Sequence, residues 1–153
     1  MKKIIQSLFA ATALAAICFT SSSFSSPKGG EGFEIFLDNQ LLIQHFGSKI
    51  NEPTKLVLDP RFPNDQLTIK YYHCGQVGKS RDITIKDGQN RILKEWQFGD
   101  GSATSAEMNC PVRDILALQK VTPGNLNLYY SSTELPNGRL LTSIAVKGGA
   151  VEP

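Results

Sequence analysis

The amino-acid sequence predicts an all-β protein. It reads as an antiparallel β-sandwich of immunoglobulin-like architecture, or a small barrel, preceded by an N-terminal signal helix. Three observations predict it. Apolar residues alternate with polar ones along most of the chain after residue 30. Turn-forming residues interrupt that alternation about every 8–12 residues. Beyond the N-terminal region no segment carries a secure helical period.

The N-terminal region comes first. Met1-Lys2-Lys3 is a short positive start, and the stretch from Ile4 to Phe19 carries no charge. Such a run suits a signal-peptide core and is short for a bilayer span, which needs roughly 20 apolar residues. Ser21, Ser22, Ser23, Ser25 and Ser26 supply the small residues that a signal peptidase needs. The expectation is a signal peptide over 1–26 and one domain over 27–153, with a frayed tail from Gly148. The predicted setting is extracytoplasmic, periplasmic or secreted, with no stable membrane span after cleavage. Lipidation at Cys18 is disfavoured because Ile17, directly before it, is not small.

The strands follow in order. Phe33, Ile35 and Leu37 share a face, Asp38-Asn39 turns the chain, and Gln40 to Phe46 runs back as a hairpin partner. Lys55 to Leu58 is a short apolar run halted by Pro60 and Pro63. Leu67, Ile69 and Tyr71 alternate with Thr68, Lys70 and Tyr72 in a strand that ends at His73-Cys74-Gly75. A second hairpin joins Arg81–Lys86 to Arg91–Phe98 through Asp87-Gly88-Gln89-Asn90, and Gly99 to Ser105 is a loop. Residues 112–120 fit a short helix or a bent strand. Leu126, Leu128 and Tyr130 mark another strand. Leu135-Pro136-Asn137-Gly138 is expected as a turn before a last strand over Leu140–Val146. The immunoglobulin resemblance stops at architecture, because Trp96 lies close to the second cysteine and Met108 stands where a corner tyrosine is usual.

Loss of the signal peptide changes two counts. Lys2 and Lys3 leave with it, which brings the 16 Lys and Arg level with the 14 Asp and Glu. A neutral domain exerts no long-range pull on nucleic acid or anionic lipid, so no nucleic-acid partner is expected. Cys18 also leaves, and Cys74 with Cys110 remains. In an oxidising compartment that pair is expected to form a disulfide, whose loop of about 36 residues would stabilise the fold by about 3–4 kcal/mol.

The stretches His73-Cys74-Gly75, Asp114 to Lys120 and Leu128 to Arg139 together resemble a group of small exported proteins of Bacteroidota. The resemblance implies a periplasmic or surface setting in a two-membrane bacterium. It implies no activity and no catalytic residue.

The residues offer little chemistry. His45, His73, Cys74 and Cys110 are the possible metal ligands, but neighbours such as His73 and Cys74 point to opposite faces of a strand. No metal or other cofactor is expected. No Gly-x-Ser-x-Gly motif is present, and Ser131-Ser132 reads as a strand end whose hydroxyls satisfy a turn. Glu95 and Asp114 have no sequence pairing for acid–base work. Asp100-Gly101-Ser102 lacks the further acids of a calcium loop. Tyr71-Tyr72 and Tyr129-Tyr130 should each send one ring inward and one outward. Tyr72 and Tyr129 are therefore the candidate ligand-binding residues, for sugar or peptide, with cross-strand surface pairing as the alternative.

The function expected from the sequence is an exported, non-enzymatic binding or accessory domain with a protein or glycan partner. Recognition would use a loop such as Gly99–Ser105 or an exposed sheet edge. The alternatives are a small hydrolase whose site assembles only in space, and a metal or redox accessory protein.

Overall fold

The computed structural model describes residues 30–148. The expected signal peptide, with Cys18, and the last five residues lie outside the described region. Nine strands and one α-helix follow in order, with a short 3-10 helix (Gly47–Asn51) between β2 and β3: β1 (Gly32–Leu37), β2 (Gln40–Phe46), β3 (Lys55–Leu58), β4 (Gln66–Tyr72), β5 (Arg81–Lys86), β6 (Ile92–Gly99), β7 (Met108–Pro111), α1 (Val112–Val121), β8 (Leu126–Ser132) and β9 (Leu135–Val146). They build two sheets, with strand orders β2-β1-β4-β7 and β3-β9-β8-β5-β6. The protein is a β-sandwich. Every strand pairing is antiparallel except β3 with β9, which is parallel.

The alternation in the sequence sets which side chains meet between the sheets. Phe33 and Ile35 from β1, Leu67 and Ile69 from β4, Ile83 and Ile85 from β5, and Leu126 and Leu128 from β8 are all fully buried. Their polar neighbours occupy the outer faces, because successive side chains of a strand point to opposite sides. The first hairpin closes as the sequence predicts. Asp38 and Asn39 take φ angles of 45° and 68°, the left-handed pair that a two-residue hairpin turn requires. In the second hairpin Asp87 Oδ1 accepts the backbone N–H groups of Gln89 and Arg91, both at 2.9 Å, and so holds the turn.

Residues 112–121 form a helix. Val112, Ile115 and Leu116 are its buried residues, and their spacing of three and four closes one apolar stripe over the sandwich. No helix among the described residues is long and apolar enough to cross a membrane.

Two expectations are corrected. The first is the turn at Leu135–Gly138. The chain reverses earlier, at Thr133-Glu134, and β9 begins at Leu135. Pro136, Asn137 and Gly138 instead form an outward bulge between the pairs Ser132↔Leu135 and Tyr130↔Arg139. Gly138, at φ 68°, supplies the left-handed residue of that bulge.

The second correction is the disulfide: Cys74 and Cys110 are both free thiols. The register of β4 with β7 sets Cys110 opposite Leu67. Cys74 lies seven residues further along the chain from Leu67, roughly 20 Å away at the usual rise per strand residue. A disulfide needs Cα atoms within about 7 Å. Cys110 is fully buried in β7, where burial pushes its thiol up to about 12. Cys74 is exposed in the reversal after β4, with φ 51° beside Gly75 at 85°.

Candidate functional site

One end of the sandwich carries a chain of polar side chains that runs between the two sheets. Its centre is a stack of Tyr71 from β4 on Tyr130 from β8, with ring centroids 4.1 Å apart and planes within 13°. Each strand sends one tyrosine of its adjacent pair inward, as period two demands. Tyr72 and Tyr129 go outward on opposite faces of the molecule, and the structure does not bring them together. Tyr72 is buried on its face: its hydroxyl donates to Glu34 at 2.7 Å and its ring lies 5.2 Å from that of Phe46. Tyr129 is half-buried under the Lys86 ammonium, 4.4 Å above the ring. Both rings are engaged by neighbours within the protein.

On one side of the stack, Tyr130 Oη lies 2.8 Å from His73 Nε2, and Ser132 Oγ lies 3.4 Å from the same nitrogen. Burial holds the Tyr130 phenol above its ordinary pKa and the His73 imidazole below its own. Nearby Glu134 and Glu31 only partly offset the shift on His73. Both shifts favour the neutral forms, a phenol facing an uncharged imidazole, and the ring tautomer sets which of the two donates. Ser132 Oγ also accepts the Leu135 N–H at 3.2 Å, the turn-satisfying role read from its sequence position. Glu134 Oε2 accepts the Lys79 N–H at 3.0 Å, and that bond is the main reason its carboxyl titrates below the ordinary value.

Gly78 seals this cluster. It is buried, and a Cβ on it would come within 2.8 Å of Tyr130 Oη and 3.0 Å of His73 Nε2. The backbone that carries it is fastened on both sides. The Gly101 N–H donates to the Gly78 carbonyl at 2.8 Å, and the Thr133 N–H to the Lys79 carbonyl at 2.8 Å. Asp100 Oδ1 accepts the Ser80 N–H at 2.9 Å. The buried Arg81 guanidinium donates to the carbonyls of Gly99 and Ala106. The Gly99–Ser105 loop, a candidate recognition loop by composition, is thus pinned to the segment that covers His73.

On the other side of the stack, Tyr71 Oη donates to Glu31 Oε1 at 2.6 Å. The same oxygen accepts from Arg139 Nη2 at 3.1 Å, and Arg139 Nη1 donates to Asn51 Oδ1 at 2.7 Å. Arg139 Nε is buried with no partner.

Arg139 also lines an open cleft of about 480 Å³, bounded by residues 51–54 and 138–143. The cleft exists because β3 covers only part of β9. Their parallel pairing runs from Lys55↔Ser143 to Leu58↔Val146. Just before it, Ser143 N–H donates to the Thr54 carbonyl and Thr54 Oγ1 to the Leu141 carbonyl, both at 3.0 Å. N-terminal to those bonds no backbone hydrogen bond joins the two segments among the described residues, and the Arg139–Asn51 side-chain bond links them.

The remaining candidates stand apart. His45 in β2 packs on Phe33, with ring centroids 5.5 Å apart, whereas His73 packs on Tyr71 at 4.8 Å. Among the described residues no group of three His, Cys, Asp or Glu side chains is placed to hold a metal ion. Asp114 faces Lys94 and Arg113, at 3.8 Å each, while Glu95 accepts a bond from Gln97. Lys94 and Glu95 are strand neighbours and point to opposite faces, so Glu95 and Asp114 are not paired. The cluster of His73, Tyr130 and Ser132 escapes sequence reasoning, because its members lie 57 and 59 positions apart. The only local signal was the doubled tyrosine.

No protein-family model matches the chain, and no curated protein matches it in sequence.

Proposed function

We propose that this protein is an exported, non-enzymatic binding or accessory domain of a bacterial envelope, of the Bacteroidota kind its sequence resembles. Its partner, protein or glycan, enters the cleft beside β9. The cleft carries this reading: it is open, of ligand size, and bordered by a strand edge whose hydrogen-bonding groups have no partner strand. The polar residues that look most chemical lie instead under Gly78, bonded to one another. The charged N-terminal start and its uncharged core support export.

The test is residue-resolved NMR of the protein titrated with a panel of short peptides and oligosaccharides. The expected result is amide shifts confined to residues 51–54 and 138–143. Shifts centred on His73 and Ser132 would overturn it.

A hydrolase is the second reading, favoured by one observation: Ser132 Oγ stands 3.4 Å from His73 Nε2. That separation is longer than an activated nucleophile and its base usually show. Tyr130 holds the nearer position on the imidazole. Any ester- or amide-cleaving activity that disappears in Ser132→Ala, while the variant stays folded, would install this reading in place of the first.

A further inference from the structure

We infer that the cleft takes an extended peptide, added to the second sheet as a strand in line with β3. This rests on the proposal that the cleft is the binding site, and it names the class of ligand. Two observations carry it.

The first is the vacancy in the sheet. β9 spans Leu135–Val146, but β3 pairs only with its final four residues. Over the first part of β9, the side away from β8 has no strand beside it. An extended segment laid there would occupy the same row of the sheet as β3. It would have Asn51–Thr54 as a wall on its far side. The outer edges of β2, β3, β6 and β7 also lack a partner strand, but none of their residues lines this cleft. A two-sided slot of this kind gives a strand both backbone bonds and side-chain contact.

The second is the state of the polar side chains in the lining. Asn51 accepts from Arg139, Thr54 donates to the Leu141 carbonyl, and Ser143 donates to Asn127 Oδ1 at 2.9 Å. Thr142 Oγ1 donates to the Ser143 carbonyl at 3.2 Å. These groups are engaged within the protein. No aromatic ring lines the cleft. Of the polar side chains in the lining only the exposed Glu52 carboxylate makes no hydrogen bond or ion pair among the described residues, whereas a sugar site needs several such groups or an aromatic platform. What remains beside it is backbone edge, the exposed Leu140 and the guanidinium of Arg139. That combination suits a peptide with an apolar side chain over Leu140 and an acceptor group near Arg139.

The test uses the purified protein and a displayed library of random twelve-residue peptides. Enriched sequences are synthesised and their affinities measured by fluorescence anisotropy. In a strand, only alternate N–H groups face the neighbour. N-methylation at one set of alternate positions should therefore weaken binding at least ten-fold, and at the other set hardly at all. Pro53→Trp, which fills the cleft mouth, should also weaken binding at least ten-fold. Should that variant fail to fold, amide exchange on the unaltered protein serves instead: saturating peptide should slow exchange at the alternate amides within residues 139–142 that face away from β8. Peptides insensitive to N-methylation, or protection at β2 or β6, overturn the inference. If oligosaccharides shift the amides of residues 138–143 and no peptide does, the cleft stands as the site and the peptide class falls. If neither does, both fall.

Discussion

The two polar regions at this end of the sandwich share a connection and differ in nearly everything else. Around His73 the side chains satisfy one another beneath a glycine. Around Arg139 most are also paired, but the guanidinium Nε has no partner and a strand edge beside it stays open. The glutamate–tyrosine link from Arg139 to Tyr71, and the stack onto Tyr130, join the two regions across the sheets. Polar residues of a suggestive type are thus a poor guide to a site. A half-buried histidine near a serine is what a sheet-to-sheet tie looks like when every polar group needs a partner. The cleft is marked instead by what its backbone lacks.

This contrast predicts unequal responses to substitution. The largest concerns the stack. Tyr130→Ala removes a fully buried ring together with the partner of His73, and should cost about 3–5 kcal/mol in urea unfolding. A loss under about 1 kcal/mol would show that the cluster does not tie the sheets. Next is Gly78→Ala. Its methyl group must displace Tyr130 Oη or the His73 ring, so stability should fall by about 1–3 kcal/mol. An unchanged midpoint would mean that the cover is loose and the histidine accessible, which favours the hydrolase.

A smaller effect follows from acid. The folded-state pKa of His73 lies below its ordinary value. Above about pH 6.5 the imidazole is neutral in both states and no penalty arises. Below that, the unfolded chain takes up the proton first, so stability declines until the folded-state pKa is reached. With both ring nitrogens protonated, Nε2 can only donate toward Tyr130 Oη. His73→Gln should remove this part of the acid dependence. Parallel stability curves for the two proteins between pH 7 and 5 would contradict it.

The smallest effects belong to exposed positions. Leu140→Thr in the cleft and Cys74→Ser after β4 should each leave stability within about 0.5 kcal/mol, while Leu140→Thr weakens peptide binding. Alkylation mapped by peptide mass spectrometry should label Cys74 in the native protein and Cys110 only after unfolding. Protection of both thiols until reduction would restore the disulfide.

Local features were legible in the sequence. Alternation placed Phe33, Ile35, Leu67, Ile69, Ile83 and Leu128 in the core, since one face of a strand must leave water. Asp38-Asn39 and Asp87–Asn90 marked their turns, because few residues tolerate those backbone angles or cap those amides. The doubled tyrosines announced one inward ring each. The tertiary structure alone decided how distant strands met. The register of β4 on β7 separated the two cysteines that compartment and count had joined. The reversal at Thr133-Glu134 turned Pro136-Asn137-Gly138 into a bulge, a pattern whose turn chemistry serves either purpose. The parallel pairing of β3 with β9 left the first two thirds of β9 without a strand on that side, and no local pattern in either strand encodes where the other stops. Side-chain period and turn angles are properties of neighbours in sequence. Register, stacking and an unfilled strand position are properties of segments brought together only by folding.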